Sequence, residues 1–110
     1  MGCLGYGDYM KPIILKLARD DLKEIHERLI EYGNNPSKKL KDSFKAFCSN
    51  VTTMPYMYPI YDQNPKYRKA IIEYDYLVFF QIDKNKDRAM IYRVLHGKRD
   101  IVSILDSKME

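Results

Sequence analysis

Two stretches of the chain repeat apolar residues at helical spacing. Ala18, Leu22, Ile25, Leu29 and Tyr32 follow one another at intervals of four, three, four and three, which puts them on one face of a helix. Leu40, Phe44, Phe47 and Val51 repeat at four, three and four. Lys23, Glu24, Glu27, Arg28 and Glu31 lie mostly off the first stripe; Lys38, Lys39, Lys41 and Lys45 surround the second. The first helix should start near Arg19-Asp20-Asp21, where acidic residues suit both the cap and the dipole. Gly33 should end it. Asn35 then reads as the cap of the second helix and Pro36 as its first residue. So short a turn makes a helical hairpin. His26 sits beside the first stripe and reads as a boundary residue.

The remaining apolar runs have the period of strands. Pro12 to Leu17 reads as a short strand with Ile13, Leu15 and Leu17 on one face. Tyr67 to Ile101 reads as three strands in a row. Leu77-Val78-Phe79-Phe80-Gln81-Ile82 is too short for a helix, is rich in β-branched and aromatic residues, and is broken sharply by Asp83-Lys84-Asn85-Lys86-Asp87. Ala89 to Leu95 is the second half of that hairpin. Tyr67 to Tyr74 pairs on the other side through a tight turn near Tyr74-Asp75. The expected fold class is α+β: an antiparallel sheet in β-α-α-β-β-β order with the helical hairpin packed on one face. Between the halves, Thr52 to Lys66 is a loop with Pro55, Pro59 and Pro65, whose prolines rule out a helix. Its Tyr56, Tyr58 and Tyr61 either stack nucleotide bases or fold down as a lid on the helix ends.

Strict alternation assigns the faces of the sheet. An arginine is an unlikely occupant of a core under two helices. Met90, Tyr92 and Val94 are therefore expected to face the helices, with Val78, Phe80 and Ile82. Leu77, Phe79, Gln81, Ile91, Arg93 and Leu95 are expected on the opposite face, joined by Arg68, Ala70 and Ile72. That face is too apolar to meet water. Either a partner covers it, through Leu77, Phe79, Ile91 and Leu95, or the chain's own Ile101 to Leu105 folds back across it.

Length and charge narrow the class. The chain has 110 residues, enough for one domain with a modest core. Residues 1–9 read as a flexible leader before a single domain of residues 10–110, and Met10 is an equally credible start. No apolar run approaches the roughly 20 residues of a membrane span, and no secretory signal is visible, so a cytoplasmic protein without a membrane partner is expected. Cys3 and Cys48 read as reduced thiols. His26 and His96 are isolated, so neither metal nor cofactor is expected. The net charge is +4, and its excess lies downstream of the first helix: residues 34–66 carry five basic and two acidic groups. Such mild charge fits an acidic or nucleic-acid partner or simply a solvated surface.

The arrangement resembles the RelE/ParE toxins. The resemblance rests on a strand, a hairpin opening with Ala18, Asp21, Leu22, Glu24 and Ile25, and the Asn35-Pro36 turn. It also rests on Tyr67-Arg68, on Tyr76-Leu77-Val78-Phe79-Phe80, and on the closing Arg93-Val94-Leu95-His96-Gly97-Lys98-Arg99-Asp100-Ile101. It covers residues 10 to about 106. It implies a growth-inhibiting toxin of a type II toxin–antitoxin pair, of the kind that serves plasmid stabilisation, restrained by a cognate antitoxin that wraps it. RelE-like members of the family cut mRNA on the ribosome; ParE-like members poison DNA gyrase. On the RelE side, Arg68 matches one basic position and Arg99 the arginine after the last strand. Ala70, Leu77 and Leu105 stand where that mechanism would have a lysine, an arginine and a tyrosine.

Cleavage by a 2′-hydroxyl needs a base, an acid and charge for the crowded phosphate. Arg68, Arg93 and Arg99 could supply charge, but arginine stays protonated. That leaves His96 as the candidate acid–base group, with a structural role at the strand end as its alternative. The set is incomplete, and the ending is closer to ParE. The resemblance therefore favours gyrase as target, with Lys98 and Arg99 docking on the enzyme or its DNA. The ribosome with mRNA is the alternative, and a degenerate toxin that only binds its antitoxin is a third reading.

Overall fold

The computed structural model describes residues 10–106; the expected leader, residues 1–9, lies outside them. The chain runs β1 (Lys11–Ile14), α1 (Lys16–Leu29), α2 (Asn34–Thr53), β2 (Arg68–Ile72), β3 (Tyr76–Asp83), β4 (Arg88–His96) and a short α3 (Ile101–Asp106). The sheet order is β1-β4-β3-β2. The three later strands form the antiparallel meander read from the sequence. The first strand adds one parallel ladder, Lys11 to Ile14 beside Arg88 to Ile91.

The first strand is shorter than alternation suggested. Leu15 turns out of the sheet, its carbonyl accepts the Arg19 backbone N–H at 3.0 Å, and Leu17 becomes a half-exposed helical residue. The helix therefore begins before the acidic pair. Lys16 bonds Asp20 at 2.8 Å one turn on, which holds the Asp20 carboxyl below its ordinary range. The far end also differs. The α-helix stops at Leu29, a 3₁₀ turn spans Ile30–Tyr32, and Tyr32 is exposed rather than part of the stripe. Gly33 makes the break with φ 109°, a value an L side chain rarely adopts. The second helix opens at Asn34 with Gly33 as its cap, two residues ahead of the expected Asn35 cap and Pro36 start.

The second stripe is buried as its spacing required: Leu40, Phe44, Phe47 and Val51 join Ala18 and Ile25 over the sheet. Phe47 meets Phe80 edge-on at 5.3 Å. Tyr58 packs against both rings, at 5.3 and 5.7 Å. Tyr61 covers Phe79 at 5.1 Å. Tyr58 thus folds down on the helical side as the lid expected there, whereas Tyr61 covers the opposite face of the sheet; Tyr56 remains half exposed. The loop also holds one 3₁₀ turn, Pro55–Met57, with proline in the first position, where its missing N–H costs nothing.

The faces of the sheet differ from strict alternation because β4 carries a bulge. Phe80 pairs with Ile91 but Phe79 pairs with Arg93, so Tyr92 is an extra residue. One insertion inverts the phase of a strand. Ile91 and Val94 consequently both face the helices, and Tyr92 packs on the opposite face. The expected positions of Met90, Tyr92 and Ile91 are thereby corrected. Ala70 and Ile72 also face the helices. They sit opposite Val78 and Tyr76, and directly paired residues share a face; Arg68, opposite Phe80, takes the same side.

The second face is covered by the chain itself. Ile101 and Leu105 of α3 are buried with Tyr67, Phe79 and Leu95. Phe79 and Leu95 are 0% and 1% exposed.

Candidate functional site

Each predicted site residue has a definite place. Arg93 is tied to α1. Its Nε and Nη2 donate to the Asp21 carboxylate at 2.8 and 2.9 Å, and the Val94 backbone N–H donates to the same group at 3.0 Å. The cause is topological: β1 ends at Ile14, opposite Ile91. Beyond that point the edge of β4 has no strand beside it, and a buried N–H needs an acceptor. Asp21 supplies it, and the hydrogen bonds push the Arg93 guanidinium above its already high ordinary value. Asp21 is therefore a buried linker, not the cap expected from the sequence.

Arg68 donates to the Tyr58 carbonyl at 2.7 Å. His96 stands edge-on to Tyr76 at 5.0 Å, and its Nδ1 accepts the Lys98 backbone N–H at 3.2 Å. The ring thus shapes the turn after β4, where the Arg99 N–H returns to the His96 carbonyl at 3.0 Å. Arg68 lies level with Phe80, and His96 with Tyr76. Four residues of strand separate those levels, about 13 Å. The groups expected to serve RNA cleavage therefore do not converge: Arg68 stands apart from the turn shared by His96 and Arg99, and Arg93 is tied to α1. His96, Lys98 and Arg99 share this turn; Lys98 and Arg99 are exposed on it, and among the described residues neither has an ion-pair partner.

The residues expected to bind a partner are not available as a surface. Phe79 and Leu95 lie under α3, Ile91 lies in the other core, and Leu77 is half-buried. The accessible apolar surface is elsewhere. A groove of about 450 Å³ between α1 and α2 is lined by Ile14, Leu22, Leu40, Phe44 and Cys48, with Lys41 and Lys45 at its edge. His26 Nδ1 bonds the buried Ser37 hydroxyl at one end. Burial pushes the Cys48 thiol up to about 11, so it stays an uncharged part of the wall. Sequence reasoning assigned both stripes wholly to the sheet and missed this groove. The available signal was the width of the apolar arc: Cys48 follows Phe47 directly and extends the stripe sideways. Among the described residues no cluster of His, Cys, Asp and Glu has the makeup of a metal site, and no helix is long and apolar enough to cross a membrane.

Comparison with known proteins agrees with the fold. Residues 13–101 match the family described as "ParE toxin of type II toxin-antitoxin system, parDE". A solved structure titled "Chromosomal ParDE TA system from P. aeruginosa" superimposes with TM-score 0.67 at 14% identity, covering 81% of this chain and 97% of that one. No curated protein sequence matches significantly.

Proposed function

Since the chain belongs to the ParE toxin family of type II toxin–antitoxin systems, we propose that it inhibits growth from the cytoplasm by acting on DNA gyrase rather than by cutting mRNA. The observation behind this choice is that Arg68 and Arg93 do not converge on the turn that holds His96 and Arg99. Arg93 is held by Asp21, Arg68 is fixed at the Tyr58 carbonyl away from the turn after β4, and the His96 Nδ1 is taken by the backbone. Leu105, where the RelE mechanism would have a tyrosine, is a buried packing residue. What the C-terminal turn offers a target is charge, Lys98 and Arg99, suited to docking rather than proton transfer.

The antitoxin surface supported best is the groove between the helices. Its apolar lining suits one face of an amphipathic helix, and Lys41 and Lys45 at its edge favour an acidic segment. Purified toxin should inhibit gyrase supercoiling, and Lys98→Glu with Arg99→Glu should weaken the inhibition while leaving the fold intact. Undiminished inhibition by the doubly reversed variant removes the turn from the target interface. Lys41→Glu with Lys45→Glu should weaken antitoxin binding at least tenfold; unchanged affinity would place the antitoxin elsewhere.

A further inference from the structure

A second cluster of cations and aromatic rings lies apart from both the groove and the C-terminal turn. Tyr56 is 50% exposed. The Arg68 guanidinium lies over its ring, 5.0 Å from the centroid. The bond to the Tyr58 carbonyl fixes that guanidinium in place. The pair forms one wall of a pocket of about 320 Å³, completed by Ile60, Pro65, Lys66, Gln81, Ile82 and Lys84. Such a volume lies within the range of about 300–1,000 Å³ typical of small-ligand sites. Lys66 and Lys84 are exposed, and among the described residues neither has an ion-pair partner. The neighbouring acid Asp83 is engaged by Arg88 at 3.6 Å.

The edge strand beside the pocket repeats the pairing on its other face. The Lys69 ammonium lies 5.8 Å from the centroid of Tyr61. Arg68 pairs with Phe80 and Lys69 with Phe79, so the two cations project to opposite faces of β2. Flat rings beside pinned cations are the elements from which single-strand sites are built: the ring or guanidinium stacks a base, and free lysines meet phosphates.

We propose that this surface binds single-stranded nucleic acid. One unstacked base lies against the open side of the Arg68–Tyr56 stack, Lys66 and Lys84 meet adjacent phosphates, and the strand rounds the sheet edge, across the segment from Pro59 to Tyr61 that pairs with β2, towards Lys69 and Tyr61. A duplex keeps its bases stacked and offers no ring face to Tyr56. A free nucleotide fills the pocket but leaves the second pair unused. The site is independent of how the toxin acts on its target, and a failure of the gyrase reading would leave it standing.

The test uses the full chain and fluorescence anisotropy with labelled oligothymidine of about 15 nucleotides, within the span of known single-strand sites. Tyr56→Ala should weaken binding about tenfold, the scale of losing one base–aromatic stack. Lys84→Gln should weaken it and lower the salt dependence by about one counterion. Lys23→Gln, which removes the same charge from α1, should change nothing. Wild-type affinity in Tyr56→Ala would overturn the proposal. So would equal losses from Lys84→Gln and Lys23→Gln, which would mean diffuse attraction. Duplex binding as tight as the single strand, or competition by thymidine monophosphate at the affinity of the oligomer, would also overturn it.

Discussion

Asp21 does at one position what an additional residue of β1 would otherwise do. It satisfies the Val94 N–H beyond the end of β1 and neutralises Arg93. The side chains of Arg93 and Asp21 are 16% and 10% exposed, so removing either leaves a charge with little water around it. Asp21→Ala should therefore lower stability by about 2–3 kcal/mol, read from the denaturant midpoint. Arg93→Ala should cost less after Asp21→Ala than before it, because the two act as a unit; additive losses would contradict the linkage. The sequence could not show this role. An aspartate near a helix start reads as a cap, and nothing local to residue 21 signals the approach of residue 93. Cys48 carries a second expectation at this scale. With its thiol pushed up to about 11, little thiolate exists near neutrality, and only the thiolate is nucleophilic. In a Cys3→Ser background, alkylation at pH 7 should run at least a hundredfold slower than for an unperturbed cysteine of pKa about 8.5. It should accelerate as pH rises towards 11. Alkylation at the rate of free cysteine would mean that the groove wall opens.

At the scale of elements, what was legible depended on whether a local period survives into the fold. The stripe of Leu40, Phe44, Phe47 and Val51 could be read because a helix keeps its phase from end to end. The strands from Tyr67 onward could be read because their apolar runs are bounded by charged turns. The facing of β4 could not, because Tyr92 is an insertion visible only through its partners on β3. That insertion puts Ile91 under the helices, and α3 covers Phe79. A charge at either position should therefore unfold the protein rather than merely weaken a docking surface. α3 has a role of its own. Leu105→Ala removes a buried contact with Phe79 and Leu95 and should cost about 2–4 kcal/mol. Ending the chain at Asp100 should expose that core and produce dye binding typical of uncovered apolar surface. A truncated chain that matches the full chain in stability and dye response would show that α3 does not cover the second face.

For the whole molecule, one scaffold separates three surfaces. The helical hairpin presents an apolar groove edged by lysines, the turn after β4 presents Lys98 and Arg99, and the edge strand with the loop before it presents cations beside rings. The family and the order of elements were legible in the sequence. The distribution of function was not, because whether four basic residues converge depends on strand register rather than on their identity. The separation of Arg68 and Arg93 from the turn that holds His96 and Arg99 is the basis for a target other than the mRNA bond. The most direct test is to induce the toxin without its antitoxin, map the ends of transcripts, and follow the DNA-damage response and DNA synthesis in the same cells. The expected result is growth arrest with a DNA-damage response and intact transcripts. Abundant codon-positioned cuts while DNA synthesis continues would contradict it.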